Sequence, residues 1–202
     1  GFLEDGSFFY DVHNTIVKAL SALFSRKQLE NANKHLNEVY MKDLLTGVYN
    51  RVAFGNEIAP DINKYHAKGV ACALSFVDAD DFKKINDEYG HSYGDVVLIN
   101  LADRMKKFFR TGDVLARSTG FQFCMFMQDV PSAIIAEKKC KELLVEISKM
   151  RIGKKQISVT CSLGIAIAEN RPMKFGDLYE RAEVALNEAK KLGKGQTMLS
   201  KG

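Results

Sequence analysis

A chain of 202 residues has room for one domain with a sizeable core and an appendage. With 46% hydrophobic and 27% charged residues it has the make-up of a globular protein, and its longest apolar runs are too short to span a bilayer. The 29 basic and 25 acidic residues leave a net charge of +4, too even a balance to argue for a nucleic-acid or membrane partner.

Cys72, Cys124, Cys140 and Cys161 lie far apart with no CxxC between them, three of them inside apolar stretches. That usage predicts buried free thiols in a reducing cytoplasm. The histidines at positions 13, 35, 66 and 91 have no metal-ligand spacing, so no zinc site is expected. No signal peptide is visible, and the first residue is Gly1 rather than Met, as expected of a piece of a longer protein.

Residues 8–41 contain no Pro or Gly and read as one long helix. Val12, Ile16, Ala19 and Leu23 form an apolar stripe that weakens at Arg26, Glu30 and Asn33. A helix of this length is expected to connect an upstream sensor to the domain that follows, paired as a coiled coil in a homodimer; the alternative is a helix folded back on its own domain. The expected division is therefore 1–41 as helical linker and 42–202 as the domain. Gly47 marks a turn, and Asn50 is placed to cap a helix over residues 51–65. The apolar run 71–77 predicts a buried strand. Helices are expected within 81–89 and over 95–109. Residues 114–117 and 121–127 read as two strands, with Thr119-Gly120 as the tight hairpin between them. Pro131 opens a helix to about residue 150. Residues 157–168 are apolar and β-branched, a long strand or two across a turn at Gly164. A last amphipathic helix, 175–192, ends at Gly193-Lys194-Gly195. The order βααββαβα implies an α/β sandwich of α+β type, its central sheet mixed because of the hairpin and flanked by helices.

The stretch from 76 to 95, FVDADDFKKINDEYGHSYGD, gathers the chemistry. A buried strand runs into Asp78, Asp80 and Asp81, and Lys83, Asn86 and Asp95 follow. Carboxylates at a strand end suit magnesium, which is held by one or two of them together with substrate phosphates. A solvated acidic loop with a helix cap at Asp80 or Asp81 accounts for the same aspartates.

Several motifs then line up in one order. DLLTGVYNR resembles the DxLTGLxNR entry of the GGDEF domains, the diguanylate cyclase family. The stretch 76–95 resembles that family's FxDxDxFKxIND…GH…GD segment almost position for position. RTGDVLARSTGFQF falls where the family has RxxD, an arginine and then the GGDEF signature on its hairpin. VTCSLGIAIA and AKKLGKG resemble its closing strand and helix. The resemblance covers about residues 40–200 and implies a fold like the polymerase palm and the class III nucleotide cyclases. It also implies a bacterial signalling protein of the cytoplasm. Family members join two GTP into cyclic di-GMP across an antiparallel dimer. By resemblance, Asp78 and the Ala79 carbonyl would ligate magnesium. The amides around Phe82 and Lys83, with Lys190 and Lys194, would meet the phosphates. Asn86 and Asp95 would bind guanine, whose N1 and N2 groups a carboxylate can accept from.

The signature itself departs from the family: GGDEF reads TGFQF, with Thr119, Gly120, Phe121, Gln122 and Phe123. Phe121 offers no ligand atom where the family supplies a carboxylate, Gln122 cannot act as a base, and Thr119 adds bulk where Gly lets substrate approach. Loss of a general base alone costs roughly 10²–10⁴ in rate, so cyclase activity is not expected. Upstream, Arg110 and Asp113 occupy the family's inhibitory site, where Arg can donate to guanine O6 and N7 and Asp can accept from N1 and N2; Lys141 would add a second basic contact. The expectation is a GGDEF domain without cyclase activity that binds cyclic di-GMP at Arg110 and Asp113 and needs no cofactor, magnesium entering only with GTP. The alternatives are a dimerisation or regulatory scaffold that binds GTP without turnover, and an active cyclase.

Overall fold

In the computed structural model, residues 4–58, 65, 67, 70–154, 156–169 and 173–201 are described. The chain divides into two compact units, Gly1–Met41 and Lys42–Gly202. The first is a single helix, α1 (Glu4–Met41). Val12, Ile16 and Leu23 of its apolar stripe are exposed, as are Phe9, Leu20 and Phe24 beside them. No helix among the described residues is long and apolar enough to cross a membrane.

The second unit is built on a six-stranded sheet in the order β1-β3-β4-β2-β5-β6. Its strands are β1 (Tyr49–Asn50), β2 (Ala71–Ala79), β3 (Val114–Thr119), β4 (Gln122–Val130), β5 (Cys161–Ala168) and β6 (Thr197–Leu199). The outer pairs, β1 with β3 and β5 with β6, are parallel. The inner pairs β3/β4, β4/β2 and β2/β5 are antiparallel, which makes the sheet mixed. Among the described residues five helices complete the unit: α2 (Arg51–Ile58), α3 (Phe82–Tyr89), α4 (His91–Phe108), α5 (Ala133–Ser148) and α6 (Phe175–Lys191).

The period-2 geometry of a strand sends alternate residues of β2 to opposite faces. On one face Ala73 and Val77 pack with Met125 of β4, with Val97, Leu101 and Met105 of α4, and with Cys140, Leu143 and Ile147 of α5. On the other face Leu74 and Phe76 join Phe126, Phe54 of α2, and Leu178, Ala182 and Leu186 of α6. Both faces are covered, which is why β2 reads as a continuous apolar run rather than as alternation.

Several boundaries differ from the sequence expectation. The hairpin turns on Gly120 and Phe121, not on Thr119-Gly120: a register shift between Arg117 and Thr119 pairs Thr119 with Gln122, so β3 runs on to Thr119, while β4 starts at Gln122 and continues to Val130. Gly164 makes no turn. It lies inside β5, and a Cβ there would stand 2.1 Å from Leu186 N and 2.2 Å from Ala182 O, so α6 lies directly against the strand. Residues 157–160 precede β5, with Ile157 bridged to Ile152. Helix α4 begins at His91 rather than at position 95, because Gly90, at φ 87°, ends α3 and starts α4. The helix expected over 51–65 is described as α2, capped as expected by Asn50 Oδ1, which accepts from Ala53 N at 2.9 Å; residues 59–64 lie outside the described residues.

Candidate functional site

Two strand ends and two glycine-containing turns meet at one end of the sheet's central strands. Strand β2 delivers Asp78, which is 4% exposed, and the chain then leaves through Asp80 and Asp81. Asp81 takes a left-handed conformation, φ 53°, which swings the backbone from strand into α3. It is therefore the residue before the helix, but its side chain makes no cap bond, contrary to the capping expectation. Asp80 is no cap either: its carboxylate accepts from Ser162 Oγ at 2.7 Å and from Gly195 N at 3.0 Å.

The turn after α6 answers this loop. Gly193, Lys194 and Gly195 all have positive φ, at 121°, 63° and 58°. Only glycine takes such angles at no cost, so two of the three positions suit the residue present and Lys194 carries the strain. The turn sends Lys194 Nζ to Asp81 Oδ1 at 3.0 Å. One turn earlier, Lys190 Nζ sits 2.7 Å from Asp78 Oδ2. Burial raises the Asp78 pKa above the ordinary carboxylate value; Lys190 and Lys194 pull it down without cancelling the effect, and the charge of Asp80 adds to the rise. Asp81, which is exposed, is held below the ordinary value by Lys194 and Lys84.

Directly across the sheet from Asp78 stands Gln122. Phe121, at the turn, is 39% exposed and lays its ring on Phe82, with centroids 5.5 Å apart and planes 25° apart. These rings form one wall of a cleft of about 370 Å³ that also meets Lys83, Asn86, His91, Asp95 and Arg117. Asn86 Oδ1 is buried without a partner, pressed against Gly94, where a Cβ would stand 2.0 Å away. The cleft thus brings together Phe82, Lys83, Asn86 and Asp95, while Lys190 and Lys194 sit with the aspartates next to it.

A magnesium site fits these residues poorly. Asp78 and the Ala79 carbonyl are present, but no second carboxylate comes from the hairpin, and Asp78 already shares its charge with Lys190. Among the described residues no group of three or more His, Cys, Asp or Glu side chains is placed to hold a metal ion.

Arg117 ties the hairpin to the entry loop. Its Nε donates to the Gly120 carbonyl at 2.8 Å, its Nη2 donates to the same oxygen, and its Nη1 lies 3.1 Å from Asp43 Oδ1. Asp43 also accepts from Thr46 N at 2.9 Å and Thr46 Oγ1 at 2.7 Å. Burial alone would raise the Asp43 pKa, but these bonds and the guanidinium outweigh it and hold the group below the ordinary value.

Just past the C-terminal end of α4 lies the Arg110–Asp113 cluster. Asp113, 2% exposed, pairs with Lys139 Nζ at 2.9 Å and Arg110 Nε at 3.3 Å, and accepts from Gln128 N at 3.3 Å. Arg110 Nη2 also donates to the Gln128 carbonyl. These groups meet in a pocket of about 120 Å³ under Pro131. Lys141 is not part of it: its Nζ pairs with Glu137 at 2.7 Å and faces the groove between α4 and α5. Lys139 was legible in the helical pattern. Ala136, Cys140, Leu143 and Ile147 mark the buried stripe of α5, and position 139 flanks it three residues from 136 and four from 143, whereas 141 lies on the outer side with Val145.

The chain matches the family model "Diguanylate cyclase, GGDEF domain" over residues 40–196. It is 29% identical over 170 residues to the cyclic di-GMP phosphodiesterase NbdA of Pseudomonas aeruginosa, covering 83% of this chain and 21% of that protein. It is 31% identical over 169 residues to diguanylate cyclase DgcP of the same organism, covering 80% of this chain and 25% of that protein. The chain thus spans about a fifth to a quarter of these relatives. The crystal structure of the GGDEF domain of DgcB from Caulobacter crescentus in complex with c-di-GMP superposes with a TM-score of 0.73 at 27% identity, covering 79% of this chain and 95% of that one. With the palm-like sheet, the strand-end aspartates and the hairpin in this arrangement, the chain belongs to the GGDEF domain family of diguanylate cyclases.

Proposed function

We propose that this chain is a signalling GGDEF domain that does not make cyclic di-GMP. The observation that carries the reading is the stack of Phe121 on Phe82, with Gln122 opposite Asp78. Where an attacking hydroxyl would need a carboxylate and a metal, the hairpin offers an aromatic ring and an amide. Losing the base costs roughly 10²–10⁴ in rate, and weakening metal assistance adds a further loss, tenfold for each 1.4 kcal/mol or so. The test is chromatography of the product after the purified chain is incubated with GTP and magnesium. No cyclic di-GMP is expected, and formation at the rate of an active cyclase refutes the reading.

The ligand in this reading is cyclic di-GMP at Arg110 and Asp113, supported by a guanidinium that is 53% exposed beside a carboxylate, and by the ligand named for the DgcB domain. Binding there has Arg110 turn from the Gln128 carbonyl to the guanine edge. Calorimetry with cyclic di-GMP on the native chain and on Arg110→Ala tests it: heat from the native chain only is expected, and no heat from either sinks the receptor role. The domain then acts within a homodimer, joined through α1 or by the ligand, that passes an upstream signal in the cytoplasm.

A second reading, binding of GTP without turnover, is favoured by Asn86 and Asp95. Neither makes a side-chain hydrogen bond or ion pair among the described residues, and both border the cleft. Titration with GTP of the native chain and of Asp95→Ala, with binding lost in the variant, is the check.

A further inference from the structure

We propose that the cleft takes guanine compounds by the base and without a divalent cation, so that phosphate number and magnesium leave affinity unchanged. This rests on the second reading above, that the cleft binds guanine nucleotide, and goes beyond it to the form of ligand selected.

Beside the Phe82–Phe121 wall, the base end of the cleft offers two side chains for hydrogen bonding. Asp95 is exposed, and Asn86 has a buried carbonyl oxygen with no partner. A buried unpaired acceptor costs about 1–3 kcal/mol, and that cost is removed when Asn86 turns its oxygen from Gly94 to a donor in the cleft. The carboxylate supplies acceptors that guanine N1 and N2 can meet and that adenine cannot use in the same way.

The phosphate end is internally closed. Asp78 is paired to Lys190 at 2.7 Å, Asp81 to Lys194 at 3.0 Å and to Lys84 at 3.1 Å. Asp80 is held by Ser162 and the Gly195 amide. Each aspartate therefore has its own cation or donors, and each lysine that would hold a phosphate is engaged. A hard cation needs several oxygen ligands, and here the side chain next to the metal position is a phenylalanine stacked on Phe82. A triphosphate arriving without magnesium meets three carboxylates, and to reach Lys190 and Lys194 it must first part them from Asp78 and Asp81. What it gains from those lysines it gives up in the pairs it breaks, so the added phosphates contribute nothing net. Lys190 in effect does for Asp78 what a metal ion would do.

Calorimetry with guanosine, GMP and GTP, each in magnesium and in EDTA, reads this directly. The expected dissociation constants agree within about threefold across all six conditions, with ATP weaker by about tenfold or more. GTP binding tighter than GMP by about tenfold, and only in magnesium, overturns this proposal and leaves the nucleotide reading standing. No binding of any guanine compound overturns both. Asp95→Asn loses all three ligands together. The double variant Phe121→Asp, Gln122→Glu restores the carboxylates, and its GTP affinity then rises about tenfold or more with magnesium; a variant whose GTP binding still ignores magnesium also sinks the proposal.

Discussion

Phe121 lies on Phe82, their ring planes 25° apart and their centroids 5.5 Å apart, so the residue that replaces a family carboxylate has become part of the packing. A stacked aromatic pair contributes about 0.5–1.5 kcal/mol beyond its buried area. Phe121→Ala is therefore expected to lower stability by about 1 kcal/mol, read in a urea denaturation curve as a shifted midpoint with unchanged slope. An unchanged midpoint would mean that the ring does not pack as described.

Gly94 sets the position of Asn86. A Cβ there would lie 2.0 Å from Asn86 Oδ1 and 3.0 Å from Phe82 Cζ. The helix could otherwise accept alanine readily, since alanine is the better helix former by about 1 kcal/mol. Gly94→Ala is nonetheless expected to weaken guanine binding, because Asn86 must swing out of the cleft. The side chain can yield, so the stability change stays small, about 1 kcal/mol either way. Gly164→Ala contrasts with it: the Cβ meets backbone atoms of α6 at 2.1–2.2 Å, which cannot move aside alone. Thermal unfolding of the two variants side by side checks the order, with Gly164→Ala far the less stable.

Much of this was legible in the chain because local rules and tertiary demands agree. The apolar run into Asp78 is a strand under any packing that covers both faces, and Asn50 caps α2 as its side chain predicts. The misplacements come from long-range effects. The hairpin turn moved by one residue because of a register shift in β3, which no local propensity encodes. Gly164 imitated a turn because its real cause, the backbone of α6 against β5, lies about twenty residues away in sequence. Pairing of Asp78 with Lys190 and of Asp81 with Lys194 depends on a turn of three positive-φ residues, and this is what separates a family resemblance from the charge state of the site.

The four thiols give a test of core integrity. All are buried; burial pushes Cys72 and Cys140 up to about 12, and raises Cys124 and Cys161 as well. The thiolate is the reactive form. At pH 8 the native chain is expected to resist a disulfide reagent, with all four thiols reacting in guanidinium; rapid labelling of native Cys72 or Cys140 would contradict their burial.

Asp43 predicts an acid-sensitive entry loop. Its folded pKa lies below the unfolded value, so the stability it contributes is complete above the ordinary carboxylate range and is lost as pH falls through the lowered folded value. Asp43→Asn keeps the shape but removes the charge beside Arg117. The variant is expected to be less stable than the native chain at pH 7 by about 1–2 kcal/mol, the gap narrowing below about pH 4. Denaturant midpoints across that range check it, and a gap that widens in acid contradicts the sign.

Lys139 and Lys141, two positions apart on α5, are expected to behave oppositely when each is changed to Met. Lys139 is 28% exposed and its ammonium meets a carboxylate that is 2% exposed, so Lys139→Met leaves Asp113 short of a charged partner. Removing a partner from such a group costs about 1–3 kcal/mol, with Arg110 and the Gln128 amide limiting the loss. Lys141 makes an exposed pair with Glu137, and exposed pairs are worth at most about 1 kcal/mol. Its variant should therefore unfold like the native chain. The same two variants report on ligand binding. Lys139 occupies an oxygen of Asp113 that guanine would use, so its removal frees an acceptor and cyclic di-GMP should bind Lys139→Met more tightly than the native chain. Equal affinity in native, Lys139→Met and Lys141→Met proteins would mean that Asp113 does not meet the ligand, and would leave Arg110 as the residue to account for binding.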